Sequence, residues 1–364
     1  MPPDPASQLP SDVLETLRSL AGTHDQSALW PAEELSLLAL HNIFKASVGQ
    51  QWGGDGKSGL DQHLLYESLA RASLAVSLIL SQRDAAIGLI ESSDSRLRDE
   101  LLPKLARGEI FATVGIAQLT TSRQGGPPAL RATPLGGGAY RLDGLIPWCT
   151  GAPYAHYLVV GAAITNAHEN VLLVLPSKTP NIRIDPPMTL VALSSTATTS
   201  THCDGAIIEP RFILRTGAQV LTRPNHVPLG QAFLALGLCQ SAIDLIAKFN
   251  SPSADRARDL FTQQLIALRN EILLLSQPGS ERAATAAAPS IRARTSDLAL
   301  RTTHSAVTLY KGTALLASHP AQRLAREAMF LLVWSCPSTV IDCTLDLLTQ
   351  SPPACDPGAT TSNS

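Results

Sequence analysis

The spacing of apolar positions changes twice along the chain. Residues 11–112 carry apolar side chains at helical intervals, as in the run Leu14, Leu17 and Leu20. Between Ile110 and about residue 215 the apolar runs become short and β-rich, and turns rich in glycine, asparagine and proline separate them. The pattern predicts a helical unit followed by a β unit.

Helical periodicity returns after the β unit. Four long, largely apolar runs follow residue 221, and four is the number that a helical bundle requires. The strands are expected to be antiparallel because no helix-length crossover separates them. Pro103 is expected to break the last helix of the first unit. We predict an α+β fold with an N-terminal α-helical domain (1–112), a middle antiparallel β-barrel-like domain (113–220), a C-terminal four-helix bundle (221–350) and a disordered tail (351–364).

Charge and cysteine content exclude several classes of function. The 364 residues have a net charge of -2 and scattered basic positions, so neither nucleic acid nor a membrane is an expected partner. Six cysteines without a CxxC pair and nine histidines without an HExxH motif predict no metal site. The N-terminus lacks the basic and apolar regions of a secretory signal. We expect a cytoplasmic protein with reduced thiols.

Few side chains qualify as catalytic from their local sequence. The Gly-Lys-Ser at residues 56–58 lacks the earlier glycine and the strand context of a phosphate-binding loop, which favours a connector. Cys336 lies between apolar neighbours, where a thiol keeps its proton and is inert. His226 stands at a helix start, as a structural residue or as a base. Trp148 precedes Cys-Thr-Gly at a strand end, where a tryptophan either fills the core or covers a flat ring.

The order and spacing of these pieces resemble the acyl-CoA dehydrogenase superfamily from about residue 12 to 350. The stretch "QLTTSRQGG" resembles the family segment that passes beside the flavin. The resemblance implies that Leu119 and Thr120 contact the isoalloxazine, and that Gly125 and Gly126 lie near the pyrophosphate or the substrate. The family cofactor is FAD, which carries the redox step.

A second matching stretch, "YRLDGLIPWCTGAPYAHYLVV", resembles the strand pair of the family that holds the flavin. The resemblance implies that Trp148 shields the flavin, that Thr150 hydrogen-bonds its N5 side, and that Cys149 between them belongs to the same cofactor-binding segment. Later in the chain, "YKGTALLASHPAQRLAREAMFLLVWSCPSTV" follows the family from its glycine-rich turn, here with Gly312, to its catalytic motif.

The catalytic motif departs from the family. Ser335 takes the position of the glutamate that removes the α-proton of an acyl thioester in the family, so the usual base is lost. Some members carry the base on the first bundle helix instead, where this chain offers only His226 as an ionisable side chain. The base would therefore be His226, a group on the substrate, or a residue that the sequence does not single out.

Three functions follow from this resemblance. The first is a FAD-dependent oxidoreductase acting on CH–CH of an acyl thioester or a related small molecule, with an altered base. The second is a flavin monooxygenase on the same fold, and the third is a catalytically degenerate homologue that binds an acyl group or a partner. A homodimer or homotetramer is expected in each case, because the family places FAD across a subunit interface.

Overall fold

The computed structural model describes residues 9–120, 127–221 and 229–350. The N-terminal helices are α1 (Ser11–Ser27), α2 (Ala32–Leu40), α3 (Gly59–Ala72), α4 (Leu74–Glu91) and α5 (Leu97–Ala106). The middle contains β1 (Ala112–Gly115), α6 (Ala117–Thr120), β2 (Leu130–Gly136), β3 (Ala139–Cys149), β4 (Tyr157–Ile164), β5 (Asn170–Pro176), β6 (Ile182–Ile184), β7 (Thr199–Ile208) and β8 (Ile213–Gly217). The C-terminal helices are α7 (Gly230–Ile246), α8 (Pro252–Leu275), α9 (Glu281–Tyr310), α10 (Pro320–Leu331) and α11 (Ser338–Leu348). The predicted α+β fold is confirmed.

Serine caps and apolar faces position the N-terminal helices. The Ser58 hydroxyl accepts a hydrogen bond from the backbone N–H of Asp61 and begins α3, and Ser73 caps α4 in the same way. The prediction that Pro103 breaks a helix was wrong, since α5 runs through it. Proline removes one backbone donor, but Leu102 and Leu105 on either side are fully buried and hold this short helix against its neighbours.

The strands form one sheet in the order β6-β7-β3-β2-β4-β5-β8, and β1 pairs with β4. Most pairs are antiparallel, as predicted, but β1 and β2 each pair with β4 in parallel. The sequence concealed the second parallel pair because the chain returns from β2 to β4 through the hairpin partner β3 rather than through a helix. Side chains of β4 and β5 alternate between two apolar clusters, so both faces of the sheet centre are buried.

The C-terminal part contains the four predicted helices and the additional short helix α11. The first of them, α7, is almost entirely buried because it packs against α3 on one side and α9 on the other. One large apolar cluster joins α1–α4 to α7–α10, and a second joins α4 and α5 to the sheet. Within the described residues, no helix is both long enough and apolar enough to span a membrane.

Candidate functional site

Trp148 is turned out of the sheet by a bulge near the end of β3. Ile146 pairs with Thr201 and Cys149 with Thr199, so β3 contains one residue more than β7 between these two pairs. The backbone of Trp148 adopts φ 56°, a left-handed conformation that is costly for a bulky residue, and its side chain is 54% exposed. A strained backbone that exposes a large aromatic surface is an observation from which a functional role can be inferred.

Three threonine hydroxyls form a directed chain behind Trp148. Thr196 donates to the carbonyl of Leu193 at 2.7 Å, and its oxygen lies 2.8 Å from the hydroxyl of Thr198, which lies 3.3 Å from that of Thr150. Because the proton of Thr196 is used, Thr198 donates to Thr196 and Thr150 donates to Thr198. The Thr150 hydroxyl therefore keeps its lone pairs for a further donor.

The short helix α6 contacts β3 and β4 of the sheet. The side chain of Leu119 covers Gly161 of β4, where an added Cβ would come within 2.1 Å of Leu119 Cδ1. Gln118 donates through Nε2 to the carbonyls of Gly115 (2.9 Å) and Gly161 (2.7 Å), which fixes the orientation of its amide. Its buried Oε1 has no hydrogen-bond partner among the described residues. This oxygen is therefore free to accept a hydrogen bond from a donor outside the described residues.

The other residues predicted for this segment are placed differently. Cys149 is fully buried, and its Sγ faces Gly115, where a Cβ would come within 2.6 Å. Burial, with a smaller contribution from the neighbouring Cys203, raises the pKa of Cys149 to about 12. Its thiol is therefore protonated and lies in the sheet core. Thr120 ends α6, and Gly125 and Gly126 lie outside the described residues.

Ser335 lies in the turn between α10 and α11. Its φ of 46° ends the helical path after Trp334, and Pro337 then restricts Cys336 and begins the next helix. Residues 332–337 contain no Asp or Glu. Cys336 is half-buried, and burial raises the pKa of its thiol although the nearby Arg292 acts to lower it. The turn therefore presents a hydroxyl and a neutral thiol and no carboxylate.

A guanidinium that the sequence did not single out lies under this turn. Arg292 of α9 is 3% exposed, donates through Nη2 to the carbonyl of Trp334 at 2.8 Å, and donates through Nη1 to the side-chain oxygen of Gln231 on α7. Burial lowers the pKa of Arg292 to about 10, so it carries its charge at neutral pH. The run "SIRARTSDLAL" mixes polar and apolar residues and contains two arginines, so it gave no signal that singles out Arg292.

The predicted residues therefore fall into separate groups. Leu119, Trp148 and Thr150 belong to the part of the chain where α6, β1, β3 and β4 contact one another, and the hydroxyl of Thr113 on β1 donates to the carbonyl of Thr150 at 2.7 Å. Ser335 lies with Arg292 on the helical side. Gly312 lies in the 3₁₀ turn that follows α9, with no atom within 4 Å of its added Cβ. His226 lies outside the described residues.

A surface cavity of about 210 Å³ opens elsewhere, between α1 and the start of α10. Its lining includes Arg18, Asp25, His319 and Arg323 and none of the residues that the sequence predicted for the site. Neither Trp148 nor Thr150 lines this cavity, so the cavity does not contribute to the chemistry of these two residues.

A family model, a sequence relative and a solved structure that are similar to this chain all carry the name of an acyl-CoA dehydrogenase. Residues 13–109 match the family model described as acyl-CoA dehydrogenase, N-terminal domain. A probable acyl-CoA dehydrogenase of Mycobacterium leprae is 23% identical over 359 residues, covering 89% of this chain and 91% of that protein. Butyryl-CoA dehydrogenase from Megasphaera elsdenii has a similar structure, with a TM-score of 0.79, 20% identity, and coverage of 93% and 96% of the two chains.

A solved structure that is named for a different activity is as similar in fold to this chain as the butyryl-CoA dehydrogenase. Dibenzothiophene monooxygenase from Paenibacillus sp. A11-2 has a TM-score of 0.79 at 16% identity, covering 95% of this chain and 96% of that chain. The architecture is therefore common to dehydrogenases and a monooxygenase, and the site residues must decide between them.

Proposed function

Because the chain belongs to the acyl-CoA dehydrogenase superfamily, we propose that it is a FAD-dependent oxidoreductase acting on an acyl thioester or a related substrate. The observation that carries this proposal is Trp148, held exposed by a strained bulge beside the free lone pairs of Thr150. A strained aromatic is retained where its exposed face is used.

The side chains of α6 and of the end of β3 are of the kinds that suit a flavin. The exposed indole offers a flat surface to a planar ring, and Thr150 and the unpartnered Oε1 of Gln118 can each accept from a ring N–H. Leu119 adds an apolar surface on α6 above the sheet. When bound, the flavin supplies the two-electron redox chemistry. The chain supplies the orientation, through hydroxyls whose direction is fixed by the carbonyl of Leu193.

The turn that holds Ser335 would take the thioester. The N–H of Ser335 has no acceptor among the described residues, so it is available to a substrate carbonyl oxygen, and such a hydrogen bond acidifies the α-proton. The Ser335 hydroxyl cannot take that proton at neutral pH, because a suitable base has a pKa near the working pH. His226 or a group on the substrate remains the proposed base.

Cofactor binding is tested first by the absorption spectrum of the purified protein and by titration of FAD into the apoprotein. We expect stoichiometric FAD, and we expect Thr150→Val to weaken it roughly 2- to 10-fold because one hydrogen bond is lost. Thr133→Val is the matched control, since Thr133 forms a similar hydroxyl pair with Thr165 at 3.1 Å on the same sheet. A protein that takes up no FAD contradicts the proposal.

The redox reaction is tested by adding a panel of acyl-CoA thioesters to the FAD-loaded protein under argon. We expect at least one thioester to bleach the visible flavin absorption. If none does although FAD is bound, the dehydrogenase proposal is wrong, and tight thioester binding without bleaching would indicate the degenerate homologue.

A second candidate is a flavin monooxygenase, which the lack of a carboxylate in residues 332–337 favours. Activation of O₂ on a reduced flavin does not need the base that an acyl thioester requires. Oxygen consumption by externally reduced enzyme, accelerated by an organic substrate and not by an acyl-CoA, would support this candidate over the first.

A further inference from the structure

Arg292 differs from the other buried arginines of the described residues in having no carboxylate. Arg83 lies 2.7 Å from Asp84, Arg269 lies 3.0 Å from Glu67, and Arg323 lies 3.0 Å from Glu327. Arg292 is as deeply buried as these but makes no ion pair with a described residue, and its two hydrogen-bond partners, the Trp334 carbonyl and the Gln231 amide, are neutral.

The neighbouring parts of the chain do not supply the missing charge. Neither internal stretch outside the described residues, 121–126 or 222–228, contains an aspartate or glutamate. The thiol of Cys336 interacts electrostatically with Arg292. It nevertheless stays protonated at neutral pH, because the effect of burial on its pKa outweighs that of Arg292. The cation therefore remains uncompensated within the described residues, and a buried charge without a counter-ion is strongly unfavourable.

The Arg292 guanidinium is hydrogen-bonded directly to the turn that contains Ser335. Arg292 holds the carbonyl of Trp334, the residue directly before Ser335, and Trp334, Ser335 and Cys336 are each only half-buried. A guanidinium has five N–H donors, and two of them are used here. Residues 332–337 contain no carboxylate while the cation of Arg292 is hydrogen-bonded to this turn, so the local charge is positive.

We propose that Arg292 is the counter-cation for a carboxylate carried by the substrate, so that the preferred acyl thioester ends in a second acid group. The thioester part of this inference rests on the proposed function. The charge part rests only on Arg292 and its surroundings. A site built to pair a charged donor discriminates strongly against a ligand that leaves this donor unpaired.

The experiment compares two thioesters of equal chain length on the FAD-loaded full chain. Binding of glutaryl-CoA and pentanoyl-CoA is measured by calorimetry and by the shift of the melting temperature, so neither readout requires turnover. We expect wild-type protein to bind glutaryl-CoA roughly tenfold or more tightly than pentanoyl-CoA. Arg292→Met should abolish the preference, and Arg292→Lys, which keeps the charge, should retain part of it.

Arg294→Met is the matched control, because Arg294 lies on the same helix and is half-exposed beside Glu271. It should leave the preference unchanged. Equal binding of the two thioesters to wild-type protein, or a preference that survives in a folded Arg292→Met variant, overturns the inference. If neither thioester binds, the proposed function fails, and glutarate is then compared with pentanoate alone, where equal melting temperatures overturn the role of Arg292.

Discussion

Ser335 stands where the family resemblance implies a glutamate, and this one difference has a large expected effect on proton removal. A hydroxyl and a glutamate carboxylate differ as bases by many orders of magnitude, and general-base catalysis contributes about 100- to 10,000-fold to rate. The rest of the turn remains able to hold a carbonyl through its backbone. Under the proposed function, this residue therefore separates substrate orientation by the backbone, which the turn can provide, from proton removal, which a serine side chain cannot provide.

Ser335→Glu should raise the rate of flavin reduction by an acyl-CoA by about a hundredfold if the base alone is missing. The gain is expected at the lower end of the range because Arg292 beneath the turn would hold the new carboxylate in its charged form and weaken it as a base. Ser335→Gln, which has the same shape without a base, is the control. A flat rate in both variants would mean that the pocket is shaped for another reaction.

His63 gives the stability of the fold a specific pH dependence. It stacks on Phe233 with ring centroids 5.3 Å apart, and its Nε2 lies against Gly230, where an added Cβ would come within 2.5 Å. Burial lowers its pKa from 6.5 to about 4. Between these values the unfolded chain binds a proton more readily than the folded one, so stability is full above pH 6.5 and falls as the pH approaches 4.

The free energy of unfolding lost through protonation of His63 is at most roughly 3 kcal/mol. Urea unfolding at pH 7 and pH 4.5 should therefore show a smaller difference for His63→Gln than for the wild type. His168→Gln changes an exposed histidine and serves as the control. The same pH slope in wild type and His63→Gln would contradict this assignment.

At this scale the sequence singled out Trp148 but not Arg292, for a clear physical reason. Trp148 was noticeable because a tryptophan before Cys-Thr-Gly at a strand end has few roles, but its exposure depends on a bulge that only strand pairing reveals. Arg292 was missed because its significance is the absence of a carboxylate nearby in space. The sequence shows which charged residues are present, but only the folded structure shows which of them lack an ion-pair partner.

At the scale of elements, close contact between α3 and α7 determines how the helical parts meet. A Cβ added at Gly237 of α7 would lie 2.3 Å from the carbonyl oxygen of Glu67 and 2.9 Å from the backbone nitrogen of Arg71, both on α3. Backbone atoms cannot move aside as a side chain can. The two helices therefore approach this closely only because position 237 has no side chain.

Gly237→Ala should lower the free energy of unfolding by about 1–3 kcal/mol through overpacking. Gly88→Ala on α4 is the matched control: this glycine is exposed, with no atom within 4 Å of an added Cβ, so alanine should stabilise its helix by about 0.5–1 kcal/mol. Chemical denaturation of the two variants measures both. Equal effects would show that α3 and α7 can separate without cost.

Helices with a long apolar periodicity were predicted correctly. Features that depend on contacts between distant parts of the chain were not predicted. The apolar runs of α7, α8 and α9 are long enough to be recognised as helices. The parallel pair of β2 and β4 could not be predicted, because the intervening β3 pairs with β2 and hides the crossover. The helical path through Pro103 depends on neighbouring leucines that become buried only in the folded protein.

For the whole molecule, charged pairs connect helices that are distant in sequence. The Arg269 guanidinium on α8 holds Glu67 on α3 in a nearly buried pair, and Arg71 on α3 makes two hydrogen bonds to Asp244 on α7. These contacts join the first and last thirds of the chain in defined register. Removing the cation from a buried carboxylate is costly, whereas an exposed pair contributes little.

Arg269→Met should therefore lower the free energy of unfolding by about 3–5 kcal/mol. Arg294→Met, which removes the half-exposed pair with Glu271, should change it by less than about 1 kcal/mol. Thermal and urea unfolding compare the two variants directly. If Arg269→Met is as stable as Arg294→Met, the pair with Glu67 does not hold α3 and α8 together.

The outer face of α8 provides the last prediction, which concerns assembly. Leu260, Ile266 and Leu274 are each at least half-exposed along this helix, and we infer a contact surface from this number of exposed apolar side chains on one element. We expect a homodimer or homotetramer in solution that buries this face. The double variant Leu260→Glu with Leu274→Glu should shift the mass measured by light scattering toward the monomer, because charges in an apolar interface lose their hydration. Ile207→Glu, exposed on β7, is the control, and an unchanged mass for the α8 variant would place the interface on another surface.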